Sequence, residues 1–303
     1  MKILVTGGTG FIGKVLCEQL AVAGHQLRVL SRRPSARPAG LPNFEMVAFP
    51  PPGGAALWQD AVRDCDAIVN LAGESIAEGR WTEARKKALR HSRVATTRAI
   101  VEACAALPKK PQVIVSGSAV GLYGPQGDEA LDETSPAGKD FLAGICVDWE
   151  AEAHRAEDLG IRVVLLRIGV VLGPEGGALA KMVPPFKMFV GGPLGSGTQW
   201  MSWVHVDDVC GLIAYALGHP ISGPVNATAP DPRTMRDFSK ALGAALGRPS
   251  WAPVPAPVLR IALGEMSDML LTGQRVLPKV AESAGYRFRH PKLDEALRAV
   301  LSA

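Results

Sequence analysis

An apolar run from Lys2 to Val5 leads directly into Thr6-Gly7-Gly8-Thr9-Gly10-Phe11-Ile12-Gly13, and an amphipathic segment follows at Val15, Leu16, Leu20 and Val22. A strand, a GxxGxxG turn and a helix in that order point to a dinucleotide-binding β-α-β unit. Gly7 permits the tight turn, Gly10 lets the backbone approach a pyrophosphate, and Gly13 lets the helix lie close against the strand. The exposed amides at the helix N-terminus then face the anion. The segment closes at Gly24-His25, before a second strand at Gln26 to Leu30.

That second strand ends in Ser31-Arg32-Arg33, where an NAD-specific protein usually carries an acid for the ribose 2'-hydroxyl. Guanidinium groups there suit a 2'-phosphate, because each offers a planar fork of charged donors. The reading therefore favours NADP(H) over NAD(H). The alternative is that Arg32, Arg33 and Arg37 solvate a Pro/Ala-rich loop, as surface arginines commonly do.

The chain has 303 residues, room for a large α/β domain with a smaller lobe. With 47% hydrophobic and 20% charged residues it reads as an ordered globular protein. A net charge of +4 is too mild for a nucleic-acid partner, and the densest basic run, Arg80 to Arg93, has the spacing of a solvated helix face. Five cysteines form no CxxC pair and no His/Cys cluster, so neither a metal site nor a disulfide framework is indicated. The N-terminus lacks the pattern of a secretory signal, and the longest apolar run, Ile161 to Leu172, is interrupted by Arg167 and too short to cross a bilayer. These features predict a cytoplasmic protein with a small-molecule substrate and no membrane or nucleic-acid partner.

Strand-like segments at Ile3 to Val5, Leu27 to Leu30, Phe44 to Phe49, Ala67 to Asn70, Gln112 to Ser116 and Arg162 to Arg167 alternate with helical patterns at about 12–23, 82–105 and 143–158. The alternation predicts an α/β fold: a Rossmann-type, doubly wound parallel sheet with a smaller C-terminal substrate lobe. Residues 1–168, with 205–225 returning, are assigned to the NADP(H)-binding domain, and 169–204 with 226–303 to the lobe. Asp207 or Asp208 is placed to cap a helix from Val209 to Leu217, and further helices are expected near 233–246, 258–272 and 292–301.

Together these residues resemble the extended short-chain dehydrogenase/reductase superfamily, and the resemblance covers the whole chain. Its TGGTGFIG pattern stands at Thr6 to Gly13, its Asn-Leu-Ala-Gly motif at Asn70 to Gly73, and its serine-bearing strand end at Ser116-Gly117-Ser118-Ala119, followed by Tyr123-Gly124. Leu166-Arg167 through Leu172-Gly173-Pro174 and Val204 to Asp208 look like its later motifs. Asn70 to Ile76, Ser92-Arg93, Gly192 to Gly197 and Gly273 to Val276 are similar to an atypical subgroup, the NAD(P)-dependent epimerase family proteins. The resemblance implies cofactor contacts from Gly7, Thr9, Gly10, Phe11, Ile12, Gly13, Ser31, Arg32, Arg33, Leu71, Ala72, Gly73 and Ser116. Arg93 either reaches back to the adenosine phosphate or is a plain surface arginine.

The chain departs from the superfamily at its chemical centre. The YxxxK dyad is absent: aligning Glu150 with the acid that commonly follows it puts Leu142 at the tyrosine and Cys146 at the lysine. Leucine has no proton to give, and a neutral thiol supplies no positive charge. Ser118 and Tyr123 remain as catalytic candidates. Ser118 either bonds a substrate oxygen or caps the following backbone, and Tyr123 either serves as a displaced acid or packs a turn. Glu74 either accepts from a ligand or caps a helix, and His205 either contacts substrate or packs the interior. Two functions follow: an NADP(H)-dependent oxidoreductase or epimerase with a non-standard proton donor, and a catalytically silent NADP(H)-binding regulatory or scaffolding protein. A Ser-His-Asp hydrolase is disfavoured, since no GxSxG elbow is present.

Arg32→Ala is expected to weaken NADP(H) much more than NAD(H), since a lost charge-assisted phosphate contact costs roughly 1.5 to 3 kcal/mol, one to two decades of affinity. Calorimetric titration showing equal losses for both cofactors would remove the assignment.

Overall fold

The computed structural model describes residues 1–32, 43–49, 57–174 and 176–302. Along the chain, β1 (Lys2–Thr6) and α1 (Phe11–Val22) lead to β2 (Gln26–Ser31), β3 (Phe44–Ala48) and β4 (Ala67–Asn70). Next come α2 (Glu83–Ala105), β5 (Val113–Ala119), β6 (Ala130–Leu131), α3 (Phe141–His154) and β7 (Arg162–Ile168). The chain then forms β8 (Val170–Gly173), β9 (Gly176–Gly177), α4 (Leu179–Lys187), β10 (Trp200–Met201), β11 (Trp203–His205), α5 (Val206–Gly218) and β12 (Gly223–Ala227). It closes with β13 (Arg233–Thr234), α6 (Met235–Leu246), α7 (Ala256–Leu263), α8 (Asp268–Leu271), β14 (Arg275–Val276), α9 (Lys279–Ser283) and α10 (Leu293–Ser302).

Seven of these strands form one parallel sheet in the order β12-β7-β5-β4-β1-β2-β3, the doubly wound arrangement expected from the alternation. Alternate residues of the buried strands face opposite layers. Ile3, Val5, Val69, Val115 and Leu166 pack with Leu16, Leu20, Val209 and Ile213 from α1 and α5. Leu4, Ile68, Ile114, Val163 and Leu165 pack with Ile100, Val101, Cys104 and Ala153 from α2 and α3. A third apolar cluster joins Phe186, Trp203, Phe238, Leu242, Leu293 and Leu297 away from the sheet.

Three local expectations are corrected. The sheet has a seventh strand, β12, in a segment whose Gly223-Pro224 start carries a weak strand signal. α5 begins at Val206 rather than Val209, and its cap is His205, whose Nδ1 accepts from the Asp207 amide at 3.1 Å, so neither Asp207 nor Asp208 caps it. The helix expected across 258–272 breaks at Gly264, which has φ +62°.

The strand-to-helix packing at the first turn is steric. A Cβ on Gly13 would lie 2.1 Å from the Gly7 carbonyl oxygen and 2.6 Å from Gly8 Cα, both backbone atoms with nowhere to go. Gly144, inside α3, has open space around the same position. Gly13→Ala is therefore expected to destabilise the fold by about 1–3 kcal/mol or more, and Gly144→Ala to stabilise it by about 0.5–1 kcal/mol. Urea denaturation midpoints moving in the same direction for both would contradict this packing.

Candidate cofactor and substrate site

At the carboxyl ends of β1, β4 and β5 a buried polar network shapes the loops. Thr6 Oγ1 donates to Asn70 Oδ1 at 2.6 Å and accepts from the Ala72 amide at 3.2 Å, while Asn70 Nδ2 donates to Thr97 Oγ1 at 2.8 Å. The Leu71 amide donates to the Thr6 carbonyl at 3.2 Å. Ser116 is fully buried beside Asn70, with Oγ 3.5 Å from its Nδ2. Gly7, at φ +71°, sits so close to the Leu71 carbonyl that a Cβ would approach it to 2.5 Å. Leu71, Ala72 and Gly73 are thereby fixed against the glycine turn.

Gly10 is the exposed point of that turn. Its amide donates to the Gly7 carbonyl at 2.9 Å, and a Cβ there would meet only that oxygen, at 3.1 Å. It is the N-cap of α1, with no side-chain cap bond and no acid in the first turn among the described residues. These features fit a dinucleotide pyrophosphate: open space, free amides and the positive end of a helix. Thr9 is exposed beside it, and Ile12 packs inward. Phe11 does more than line the turn. Its ring fills the space over Gly173, Gly176 and Gly177, where a Cβ would come within 2.7–2.9 Å of it.

At the end of β2, Ser31 is buried and Arg32 is 73% exposed, its Nη1 3.9 Å from Glu74 Oε1. Arg33 and Arg37 lie outside the described residues. Glu74 also pairs with Arg85, whose Nη2 donates to the Ser75 carbonyl at 2.6 Å. An acid thus reaches the end of β2 from the β4 loop, a proximity that sequence reading missed because it is not local. Arg85 was missed too, submerged in a run that reads as a solvated face.

Arg93 is not a plain surface residue. Its Nη1 donates to Leu89 O at 3.0 Å and its Nη2 to Glu74 O at 2.9 Å, with its guanidinium over the Trp149 ring. Burial pushes its pKa down from the usual arginine range. It fastens the Gly73-Glu74 loop to α2.

The catalytic candidates lie in the interior. Ser118, 3% exposed, donates to Glu150 Oε1 at 2.6 Å. Tyr123, 0% exposed, donates to Asn226 Oδ1 at 2.7 Å and accepts from Arg167 Nη1 at 3.0 Å. Burial raises the Tyr123 pKa despite the neighbouring Arg167. Tyr123 packs in the interior and keeps its hydroxyl proton, which it shares in the hydrogen bond to Asn226. Arg167 completes the group with two bonds to Glu150, both 2.9 Å. Cys146, at the lysine position, is 4% exposed, and burial together with Glu150 pushes its thiol up to about 12, so it stays neutral. Leu142 lies against Gly121.

His205 also lies in the interior. It is 5% exposed, caps α5, and stacks on His290 with ring centroids 3.8 Å apart. Burial, then His290, lowers its pKa. His205, Asp207 and His290 form a cluster that the sequence, with 84 residues between the histidines, does not reveal. The His205 Nδ1 lone pair is taken by the Asp207 amide.

A parallel sheet closing on a glycine turn, with free helix amides over open backbone, defines a dinucleotide-binding α/β protein. The chain belongs to the NAD dependent epimerase/dehydratase family, whose model matches residues 3–228; a second model, Domain of unknown function (DUF1731), matches residues 254–300. It is 44% identical over 306 residues to the Epimerase family protein SDR39U1 homolog, chloroplastic, of Arabidopsis thaliana, covering 99% of this chain and 87% of that one. It is 41% identical over 304 residues to Epimerase family protein YfhF of Bacillus subtilis (strain 168), covering 100% and 98%. The crystal structure of human epimerase family protein SDR39U1 (isoform 2) with NADPH superposes with a TM-score of 0.87 at 35% identity, covering 100% of this chain and 99% of that one. An atypical extended short-chain dehydrogenase/reductase is therefore the right class, and a nucleotide cofactor belongs to its fold.

Gly10→Val is expected to abolish nucleotide binding while leaving the fold intact, because its added methyls would enter the space over the turn. Unchanged affinity with a normal circular dichroism spectrum would show that the pyrophosphate does not lie there.

Proposed function

We propose that the chain is an NADP(H)-dependent oxidoreductase or epimerase that moves a hydride to or from a small carbonyl, hydroxyl or nucleotide-sugar-like substrate, with a proton donor other than the usual tyrosine. The observation that carries this reading is the uncapped N-terminus of α1 over the open face of Gly10, with the Arg32 guanidinium at the end of β2. The NADPH named with the human relative supports it. The bound nicotinamide supplies the hydride chemistry. The chain's part is to seat the pyrophosphate on the turn, to hold the Asn70–Gly73 loop through Thr6 and Arg93, and to present Ser118 from β5. Five buried, unpaired cysteines agree with a reducing, cytoplasmic setting.

A second reading is favoured by specific features of the site. With Leu142 and Cys146 at the dyad positions and the Tyr123 proton committed to Asn226, the chain retains cofactor seating without a standing acid. It would then be an NADP(H)-binding regulatory or scaffolding protein.

Single-turnover oxidation of bound NADPH over a panel of carbonyls and nucleotide sugars separates the two. Under the enzyme reading, Ser118→Ala is expected to lower turnover by roughly 10² with little change in cofactor affinity. Tyr123→Phe is expected to act on stability rather than on turnover. If no substrate on the panel oxidises bound NADPH, the enzyme reading gives way to the regulator.

A further inference from the structure

Glu74 stands where the loop after β4 meets the end of β2, and it is ringed by guanidinium groups. Its Oε2 pairs with Arg85 Nη1, its Oε1 lies 3.9 Å from Arg32 Nη1, and its backbone carbonyl accepts from Arg93 at 2.9 Å. One carboxylate therefore faces two side-chain cations, with a third on its main chain. Arg85 is left incompletely used: its Nε is buried with no hydrogen-bond partner among the described residues. Arg32, at 73% exposure, leaves the cluster open to solvent. The end of the second strand is also the place from which a Rossmann sheet addresses the adenosine ribose.

We propose that Glu74 is a placeholder for the cofactor's 2'-phosphate, and that Arg85, together with Arg32, is a specificity-determining residue for it. The proposal rests on the NADP(H) reading above and deepens it. A phosphate monoester carries about 1.5 to 2 negative charges and three acceptor oxygens, against one charge and two oxygens for a carboxylate. It therefore outcompetes Glu74 for the guanidinium forks, and Glu74 opposes it by like-charge repulsion at close range. A cofactor with a free 2'-hydroxyl meets the opposite situation, because Glu74 can accept from that hydroxyl while Arg85 holds the carboxylate in place. The cluster thus sets a ratio between two cofactors rather than an absolute choice.

The test is calorimetric titration of the full chain with NADP⁺ and with NAD⁺. Glu74→Gln, which keeps the shape and removes the charge, is expected to raise the NADP⁺-to-NAD⁺ affinity ratio by about tenfold. Arg85→Gln is expected to lower it by about tenfold or more, and Arg85→Lys, which keeps the charge and loses the fork, to lower it less. Circular dichroism checks that each variant is folded; should Arg85→Gln fail to fold, Glu74→Gln and Arg85→Lys carry the test. Ratios unchanged in the Glu74 and Arg85 variants, with a lowered ratio in Arg32→Ala, would overturn the placeholder and leave the NADP(H) reading standing. A ratio unmoved by Arg32→Ala as well would overturn that reading itself.

Discussion

The buried ion pair between Arg167 on β7 and Glu150 on α3 holds together the sheet and the helix that carries Leu142 and Cys146. Taking two charges out of water is costly, and the cost is offset only when every remaining donor and lone pair finds a partner. Here four of the five guanidinium N–H groups are paired: Nε and Nη2 each donate to Glu150, and Nη1 donates to the Tyr123 hydroxyl and the Glu133 carbonyl, while Glu150 also accepts from Ser118. Burial opposes the charged guanidinium, yet Glu150 and Tyr123 hold the Arg167 pKa above its ordinary range. Through Tyr123 the network continues to Asn226 on β12, and through Glu133 to the amides of Asn226 and Val280. Two neighbouring strands of the sheet, the dyad helix and the C-terminal segment are therefore locked by one charge pair.

That lock also sets the surroundings of Cys146. A lysine at position 146 would place a second cation beside Arg93 and close to the Arg167–Glu150 pair, inside a region that already balances its charges. A neutral thiol held up to about 12 adds none. The helix keeps its place because Glu150 anchors it. The glycine turn is built from backbone, while the region around Glu150 is built from paired side chains. Different physics governs the two ends.

The same distinction decides what could be read in advance. The β1-turn-α1 unit was legible because its logic is local: strand, three glycines and an amphipathic helix within 22 residues. The fold class followed from the alternation of apolar runs. β12 was not legible, since Gly223-Pro224 reads as a turn and only contact with β7 makes it a strand. Nor was the role of Phe11, whose partners Gly173, Gly176 and Gly177 lie some 160 residues away and reveal themselves only as the space its ring needs. Arg93 could be singled out but not oriented, because a long side chain on a helix has several carbonyls within reach. Glu74 and Arg32 meet only because β4 and β2 flank β1.

The Val204 to Asp208 motif is best explained by anchoring. Asp208 is fully buried, and it accepts from the Arg289 amide at 2.7 Å, the His290 amide at 2.9 Å and the Tyr286 hydroxyl at 3.2 Å. Three donors converging on one carboxylate satisfy a buried charge, so the segment 286–290 is held to α5 as firmly as a strand is held to its neighbour. One residue earlier, Asp207 accepts from Gln19 on α1 at 3.1 Å and lies 3.8 Å from His290 Nε2. The helix that opens on the glycine turn, α5 and the segment 286–290 therefore share one joint. A segment tied to α1 in this way cannot shift without disturbing the packing behind the turn. The histidines and acids of the motif serve that joint by capping, stacking and accepting.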